Sequence, residues 1–279
     1  MAKIAARQIA GGDGWSVADV VCSAGPADRP FEEQHDRVAI AIVLGGSFQY
    51  RGSGAGGREL MTPGSLLLGN PGQSFECGHE HAHGDRCLAF HFSPRYFASI
   101  TDGAFRGRRE RFGSLRLAPV RELSAVVAGA CAALASSSAD AAMAWEALAV
   151  RLAARAVQVD GGRAPSPSPV SSAALARVTR AVRLLEQRAA EPLALETLAR
   201  EAGLSPFHFL RTFEDLTGAT PHQYLRRLRL RRAALRLLSS PSKILDVALD
   251  SGFGDVSNFN RAFRTEFGVS PREYRRTGR

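Results

Sequence analysis

Hydrophobic and polar positions in the last third of the chain follow one pattern twice. Phe209, Phe213 and Leu216 stand at spacings of four and three, which predicts a helix with one buried face. Six residues then recur at a fixed offset of 50: Phe209, Arg211, Phe213, Gly218, Pro221 and Tyr224 reappear as Phe259, Arg261, Phe263, Gly268, Pro271 and Tyr274. A constant offset of this kind indicates an internal repeat of one structural unit.

Each copy of the repeat predicts two helices joined by a tight turn. In the first copy an apolar face at 195–199 precedes Gly203, which is typical of a helix end. Ser205 can cap the next helix, and Pro206 suits its first position because the missing N–H costs nothing there. The second copy repeats the pattern, with an apolar face at Ile244, Val247 and Ala248, an end at Gly252, a cap at Asp255 and buried positions at Phe259, Phe263 and Phe267.

The side of each second helix opposite the phenylalanines is predicted to face outward. The first copy places Phe207, Arg211 and Glu214 there with Leu210 beside them, and the second places Ser257, Arg261, Arg264 and, at the flank, Asn260. Arginine can pair bidentately with guanine, and asparagine with adenine. The second outward face is therefore the better DNA reader on residue type alone.

A helix over 221–238 is predicted between the copies, with six arginines around a leucine stripe. Its length of about 27 Å suits two DNA-recognition helices, called reading helices below, that are set roughly 34 Å apart, the spacing of successive major grooves. The arginines of this helix are expected to divide between phosphate contacts and an ordinary solvated face.

Residues 173–276 resemble the DNA-binding domain of the AraC/XylS family of transcriptional regulators. The blocks 250–255, 259–264 and 267–275 carry the resemblance, which covers over a third of the chain. It implies two helix-turn-helix units on one long helix, with base contacts from Phe207, Leu210, Arg211, Val256, Ser257, Asn260 and Arg261.

Three further residues complete the predicted DNA-binding set. His208 is expected to contact the phosphate backbone or to be solvated, and Asn258 and Arg264 lie on the second reading helix. Arg261 has two competing roles, as a base reader or as an ion-pair partner of Asp255 or Glu266. Base reading is favoured because the repeat places Arg211 in the equivalent position.

Residues 14–117 are predicted to form short strands separated by glycine turns. Such a meander is typical of a small β-barrel or sandwich. Its order resembles the cupin-like effector domain of many AraC-type proteins, with 63–68 as the best local match. The predicted fold class is therefore α+β: an N-terminal cupin-like β-barrel with two following helices, then an all-α domain of two helix-turn-helix units joined by a long helix.

The predicted domains are a sensor or effector domain at 1–118, a helical segment at 119–160, a linker at 161–172 and a DNA-binding domain at 173–279. The two alanine-rich helices of the second segment either form a dimer seam or cover the barrel. The linker is predicted from three Pro and four Ser between residues 161 and 172.

A cluster of cysteine and histidine residues at 77–87 is the main candidate for chemistry. If this segment is extended, alternation places Cys77, His79, His81 and His83 on one face, with Cys87 and Cys22 as further candidates. These side chains suit zinc or another thiophilic metal, and Cys77 or Cys87 can also be paired with Cys22 as a redox couple. The alternative is a polar loop at the barrel mouth with one buried cysteine. The closely spaced Cys pairs of common zinc sites are absent, and no cofactor is expected to be required.

Composition and charge narrow the class of protein. The net charge is +9, and residues 173–279 hold 19 Lys/Arg against 11 Asp/Glu, as expected of a nucleic-acid-binding half. The sequence contains neither a signal segment nor an apolar run long enough for a membrane span, so a cytoplasmic protein with reduced cysteines is expected. An enzyme is disfavoured because the His-x-His and later Glu of cupin enzymes are missing ahead of the first glycine turn, where the chain offers only His35 beside Glu32 and Glu33.

The sequence thus predicts a two-domain transcription regulator that reads two major grooves of double-stranded promoter DNA. An unknown small effector is expected at the N-terminal domain, and a homodimer, RNA polymerase for an activator, and no membrane are the other partner predictions. Three alternatives stay open: a metal- or redox-responsive regulator, a metal-dependent cupin enzyme fused to a DNA-binding domain, and an architectural nucleic-acid binder.

Overall fold

The computed structural model describes residues 4–53, 57–104, 111–135, 141–161 and 171–276. Ten strands form two sheets in the first part of the chain. They are β1 Ile4–Gly12, β2 Trp15–Cys22, β3 Phe31–Gln34, β4 Val38–Gly46, β5 Phe48–Gly52, β6 Glu59–Met61, β7 Leu66–Gly69, β8 Ser74–Gly78, β9 Asp85–Phe92 and β10 Arg116–Leu117.

The helices divide between the two halves of the chain. The first half has α1 Pro94–Ala104, α2 Arg121–Ala135 and α3 Ala141–Gly161. The second half has α4 Ser172–Gln187, α5 Leu195–Ala202, α6 Pro206–Thr217, α7 Pro221–Ser239, α8 Ile244–Asp250, α9 Val256–Phe267 and α10 Pro271–Arg276. The α+β class is confirmed.

The strands form two sheets and not one closed barrel. The larger sheet has the order β1-β2-β9-β4-β7-β10, and the smaller one has the order β3-β8-β5-β6. Apolar side chains from both sheets, including Val43, Tyr50, Met61 and Leu67, pack into one cluster between them. Because every other residue of a strand faces the same side, the larger sheet has a second apolar face, around Ile40, Ile42 and Phe90.

Helices cover that second face of the larger sheet. Leu123 and Val127 of α2 and Trp145 and Leu152 of α3 join the same core as the strands, so these two helices cover the sheet within one chain. The helix α1 was not predicted, since 94–104 lies inside the stretch interpreted as strands. Ser93 accepts a hydrogen bond from the Tyr96 amide at 3.2 Å, which is a helix start that the strand prediction overlooked.

The predicted linker falls mostly on residues that the structure does not describe. Helix α3 ends at Gly161 and α4 begins at Ser172, with Ser171 as its N-cap, so each helix includes one residue of the predicted linker. The domain boundaries stay a prediction. The C-terminal half, residues 171–276, contains two helix pairs, α5/α6 and α8/α9, joined by the 19-residue α7. This is the double helix-turn-helix arrangement that the repeat predicts.

Candidate nucleic-acid interface and sensor cavity

Both reading helices, α6 and α9, begin at the predicted caps. Ser205 accepts a hydrogen bond from the His208 amide, and Asp255 accepts one from the Asn258 amide at 2.7 Å. The turn before α6 uses Gly203 at φ +66°, and the turn before α9 uses Gly252 at φ +86°, conformations that favour glycine. The two reading helices therefore start at the same point of each repeat.

The phenylalanines of the repeat are buried, as predicted. Phe209, Phe213, Phe259 and Phe263 have no exposed surface, and they pack at ring-centroid distances of 5.5 Å within each helix. Helical geometry then turns the opposite face outward. Of the ten predicted DNA-binding residues, eight are exposed: Phe207, His208, Arg211, Ser257, Asn258, Asn260, Arg261 and Arg264.

Leu210 and Val256, the other two predicted contacts, are half-buried. Both are apolar, so they offer no hydrogen bond to a base edge but can contact a thymine methyl group. Phe207 is the opposite case, since it is apolar and 71% exposed. A large exposed aromatic side chain at the start of α6 suits an apolar contact in a DNA groove.

The two competing acids of Arg261 are occupied elsewhere. Asp255 caps its own helix, and Glu266 accepts from Ser124 and lies 3.6 Å from Nε of Arg227. Within the described ranges, Arg261 has no hydrogen bond or ion pair. Its guanidinium is therefore free to bind a base or a phosphate.

A cationic groove adjoins Arg261. A concavity of about 410 Å³ lies between α7 and α9 and is lined by His222, Arg226, Arg229, Asn258 and Arg261. Nε of Arg226 is buried and has no hydrogen-bond partner among the described residues. Sequence reasoning did not single out Arg226, because periodicity does not show which arginine of α7 faces the second reading helix.

The other arginines of α7 mostly bind protein atoms, which corrects the expectation that they divide between phosphate and solvent. Arg229 donates to the carbonyl oxygens of Ala189, Glu191 and Gly252 at 2.6–2.8 Å. Similar contacts join Arg232 to the Glu186 carbonyl, Arg236 to Asp250 and Arg227 to Glu266. Arginine side chains on this helix thus hold α4, α8 and α9 in place.

The N-terminal half, residues 4–161, is called the sensor half below after its predicted role, and it contacts both helix-turn-helix units. Nη2 of Arg231 donates to the Pro63 carbonyl at 2.9 Å, and Leu60 of β6 lies in the hydrophobic core of the first unit. The buried Arg116 binds Glu59 at 2.9 Å and donates to the Thr217 carbonyl at the end of α6. Ala128 of α2 packs in the core of the second unit. Contacts between the halves are therefore made to each DNA-reading unit separately.

A cavity of about 270 Å³ lies between the two sheets of the sensor half. Its wall combines apolar side chains with nine titratable groups, which are Cys22, Glu33, His35, Asp36, Cys77, His79, Asp85, Cys87 and His91. A concave site lined by apolar side chains, with polar groups placed among them, is typical of small-molecule binding. The sequence prediction missed Asp85 and His91, whose positions depend on strand register.

His35 is a buried part of this cavity. Its Nε2 lies 2.8 Å from the Tyr50 hydroxyl, and its ring stacks on Phe75 with centroids 4.2 Å apart. Burial lowers the pKa of His35 to about 4, so the ring is neutral at physiological pH. His35 is thus a neutral hydrogen-bonding group of the cavity wall and not a charged one.

The predicted Cys/His cluster is only partly assembled. Strand β8 ends at Gly78, so the segment is not extended through His83, and the residues do not share one face. Cys77, His79 and Cys87 line the cavity together with Cys22, whereas His83 is exposed and His81 binds Ser172 at 3.2 Å. The turn is tight because Ala82 donates to the His79 carbonyl and Gly84 adopts φ +63°.

The thiols of the cavity are held in their protonated form. Burial raises the pKa of Cys22, Cys77 and Cys87, and the carboxylate of Asp85 raises it further in each case. Because the thiolate is the reactive form of cysteine, this environment opposes the redox pairing proposed from the sequence.

Comparisons with known proteins agree with both halves. The family profile described as AraC-like ligand binding domain matches residues 20–203, about two thirds of the chain, and one described as helix-turn-helix domain matches residues 198–277. The chain belongs to the AraC family, as the resemblance implied.

Individual relatives match about a third of the chain. The right origin-binding protein of Escherichia coli (strain K12) is 39% identical over 93 residues, covering 33% of this chain and 32% of that protein. The HTH-type transcriptional activator RhaS of Enterobacter sp. (strain 638) is 40% identical over 100 residues, covering 36% of each. The matches thus span about a third of the length of these relatives.

Among solved structures, unsaturated fatty acid bound ToxT from Vibrio cholerae is similar over 95% of both chains, at 12% identity and a TM-score of 0.39. Within the described segments, no helix combines the length and the apolarity that crossing a membrane requires.

Proposed function

We propose that the protein is a sequence-specific DNA-binding transcription regulator whose N-terminal half binds a small effector. The observation that carries the proposal is the pair of exposed reading faces. Each combines a capped N-terminus with side chains that recognise base edges, above all Arg211 in α6 and Asn260 and Arg261 in α9. The family membership of both halves supports it.

The proposed target is double-stranded promoter DNA with two short recognised blocks about one helical turn apart. The two units are rigidly joined, since α7 packs on both and its arginines bind neighbouring helices. Because the spacing is rigid, the second unit loses little additional conformational entropy when it binds DNA after the first. The two units together therefore recognise one DNA site of defined length. The concentration of positive charge in residues 173–279 adds phosphate affinity.

The proposed effector site is the cavity between the sheets. An effector regulates DNA binding only through a difference in its affinity for two arrangements of the protein. The contacts of Arg231 with Pro63 and of Arg116 with Thr217 are where such a difference would reach the reading units. The names of RhaS and the right origin-binding protein support regulation and DNA binding respectively. Neither suggests an enzyme.

Selection of bound fragments from a random DNA pool tests the function. Full-length protein is expected to enrich two blocks, and Arg261→Ala is expected to relax one position in the block bound by α9. A matched control is Arg155→Ala in α3, which removes one exposed arginine that, among the residues the structure describes, bonds to Gln158 alone. Enrichment of no sequence, together with a steep salt dependence, would instead identify an architectural binder.

A further inference from the structure

Three different metal-binding side chains meet at one end of the sensor cavity. Cys22 is the last residue of β2, His79 directly follows β8, and Asp85 is the first residue of β9. Their ligand atoms all lie within 4.8 Å of one another. Cys22 and Asp85 are direct partners in the antiparallel ladder, so the backbone itself holds two of the three together.

The spacing is close to that of a tetrahedral site. With bonds of about 2.0–2.3 Å, two ligands of a tetrahedral zinc ion are about 3.3–3.8 Å apart. His79 and Asp85 are closer, at 2.6 Å between Nε2 and Oδ1, and would separate around an ion. Cys87 is the candidate fourth donor. It lies outside the group of three whose ligand atoms are all within 4.8 Å of one another, but its Sγ is 3.3 Å from the other oxygen of Asp85. Asp85 and Cys87 are two residues apart on β9 and so face the same side.

We propose that Cys22, His79, Asp85 and Cys87 bind a thiophilic divalent cation of the zinc class. Two sulfurs, one imidazole nitrogen and one carboxylate oxygen form a mixed set that suits zinc and is too poor in oxygen for calcium or magnesium. The site is enclosed, because Cys22 is 6% exposed and the His79 side chain 2%. The cavity wall contributes a further sulfur donor in Cys77.

A simple ion pair between His79 and Asp85 is the competing interpretation. It accounts for the 2.6 Å contact but assigns no role to the two thiols placed beside the same carboxylate. The two interpretations differ in one measurable property, which is stoichiometric metal binding that depends on sulfur.

The site also has a direct connection to the DNA-binding half. His79 and Asp85 bracket a short turn, and two residues of that turn, Glu80 and His81, each lie within 3.3 Å of the Ser172 hydroxyl. Ser172 is the first residue of α4. An ion that fixes both ends of the turn therefore acts on a contact at the start of the DNA-binding half. This regulatory role rests on the proposed function, whereas metal binding does not.

Titration of the reduced, metal-free full-length protein with Co²⁺, followed by displacement with Zn²⁺, tests the site. One Co²⁺ per chain is expected, with a sulfur-to-cobalt charge-transfer band and the strong visible absorption of a tetrahedral ion. Cys22→Ser and His79→Gln are each expected to weaken binding roughly a hundredfold, the share of one ligand in the affinity of a four-ligand site. Cys131→Ser in α2 and His83→Gln in the same turn are the matched controls and are expected to bind normally.

Two results would overturn the proposal: wild-type protein that takes up no stoichiometric Co²⁺, or uptake that Cys22→Ser and His79→Gln leave unchanged. If either variant fails to fold by circular dichroism, Asp85→Asn replaces it, since this change keeps the size of the side chain and removes the charge. DNA selection with and without Zn²⁺ is run separately. Metal binding without DNA selection would refute only the regulator, and selection without metal binding only the metal site.

Discussion

Ser124 of α2 donates a hydrogen bond to the carboxylate of Glu266 in α9, across 142 residues of sequence. Glu266 is buried, and its second partner is Arg227 of α7. The far end of the second reading helix is therefore anchored both to the sensor half and to the helix that joins the two units.

Ser124→Ala is expected to lower the free energy of unfolding by about 1.5–3 kcal/mol, because it removes a hydrogen bond to a buried charged group. Urea unfolding measures the effect. Ser99→Ala is the control, since the Ser99 hydroxyl donates only to the nearby Tyr96 carbonyl at an exposed position. Equal losses for the two variants would contradict the anchoring role of Ser124.

Gly64→Ala is expected to displace Arg231 from the sensor half. Gly64 has φ +86°, and a Cβ there would lie 1.4 Å from Nη1 of Arg231, so the arginine would lose its hydrogen bond to the Pro63 carbonyl. Gly72→Ala is a matched control, since Gly72 has φ +76° and open space around the added Cβ. In urea unfolding, Gly64→Ala is expected to lower the free energy of unfolding by about 1–3 kcal/mol more than Gly72→Ala does.

The same comparison in an Arg231→Ala background completes this test. Without the guanidinium, Gly64→Ala and Gly72→Ala are expected to lower the free energy of unfolding by the same amount, because only backbone strain remains. A persistent difference would place the clash somewhere other than Arg231.

Arg261→Ala is expected to cost roughly 1–3 kcal/mol of binding free energy at one operator position, the range of a bidentate arginine–guanine contact. Titration of labelled operator at physiological salt measures it, with Arg155→Ala as the control for lost charge. Unchanged affinity together with unchanged base preference would remove Arg261 from the set of base readers.

Asp255→Ala is expected to destabilise the second helix-turn-helix unit by about 0.5–2 kcal/mol through loss of the N-cap of α9. Asp255→Ser keeps a side-chain oxygen at the cap and is expected to retain most of the stability. Thermal unfolding compares the two. If Ser were no better than Ala, the capping bond would not be the source of the effect.

Glu186 is expected to make stability depend on pH. Burial raises the pKa of Glu186 to about 7, against the pull of Arg232, Arg231 and Arg183. The folded protein then binds more protons than the unfolded chain between the ordinary glutamate pKa and about 7, so stability falls as pH rises through that window. At pH 8, Glu186→Gln is expected to be more stable than wild type by roughly 1–3 kcal/mol.

Urea midpoints between pH 5 and pH 8 measure this dependence for both proteins. The advantage of the variant is expected to shrink as pH falls, because the wild-type carboxyl takes up a proton in the folded protein and no longer has a buried charge. A gap that does not change with pH would show that packing and not ionisation separates the two proteins.

The helix-turn-helix units were predictable because their signals are local. Caps at Ser205 and Asp255 and buried phenylalanines at Phe209 and Phe259 each lie within a dozen residues of what they determine. The 50-residue repeat then confirmed one copy by the other. The direction of the α7 arginines was not predictable in the same way, since the partner of Arg231 lies 168 residues away.

The Cys/His/Asp cluster of the cavity was also only partly predictable, because its members are distant in sequence. Sequence reasoning grouped four residues by their spacing along 77–83, but Cys22 reaches the site through its ladder partner Asp85, 63 positions further on. Only strand register brings such residues together, and a single sequence does not contain it. The turn after Gly78 removed His81 and His83 from the group for the same reason.

Leu60 belongs by sequence to the sensor half, yet its side chain completes the hydrophobic core of the first reading unit. A C-terminal half produced without residues 1–170 would therefore lack the Leu60 side chain and have a cavity in that core. Its core would have to repack before the fragment could be as stable as the same residues in the full chain. Because this core is built from both halves, their unfolding is expected to be coupled, and equilibrium unfolding of the full chain is expected to approach one transition more closely than two.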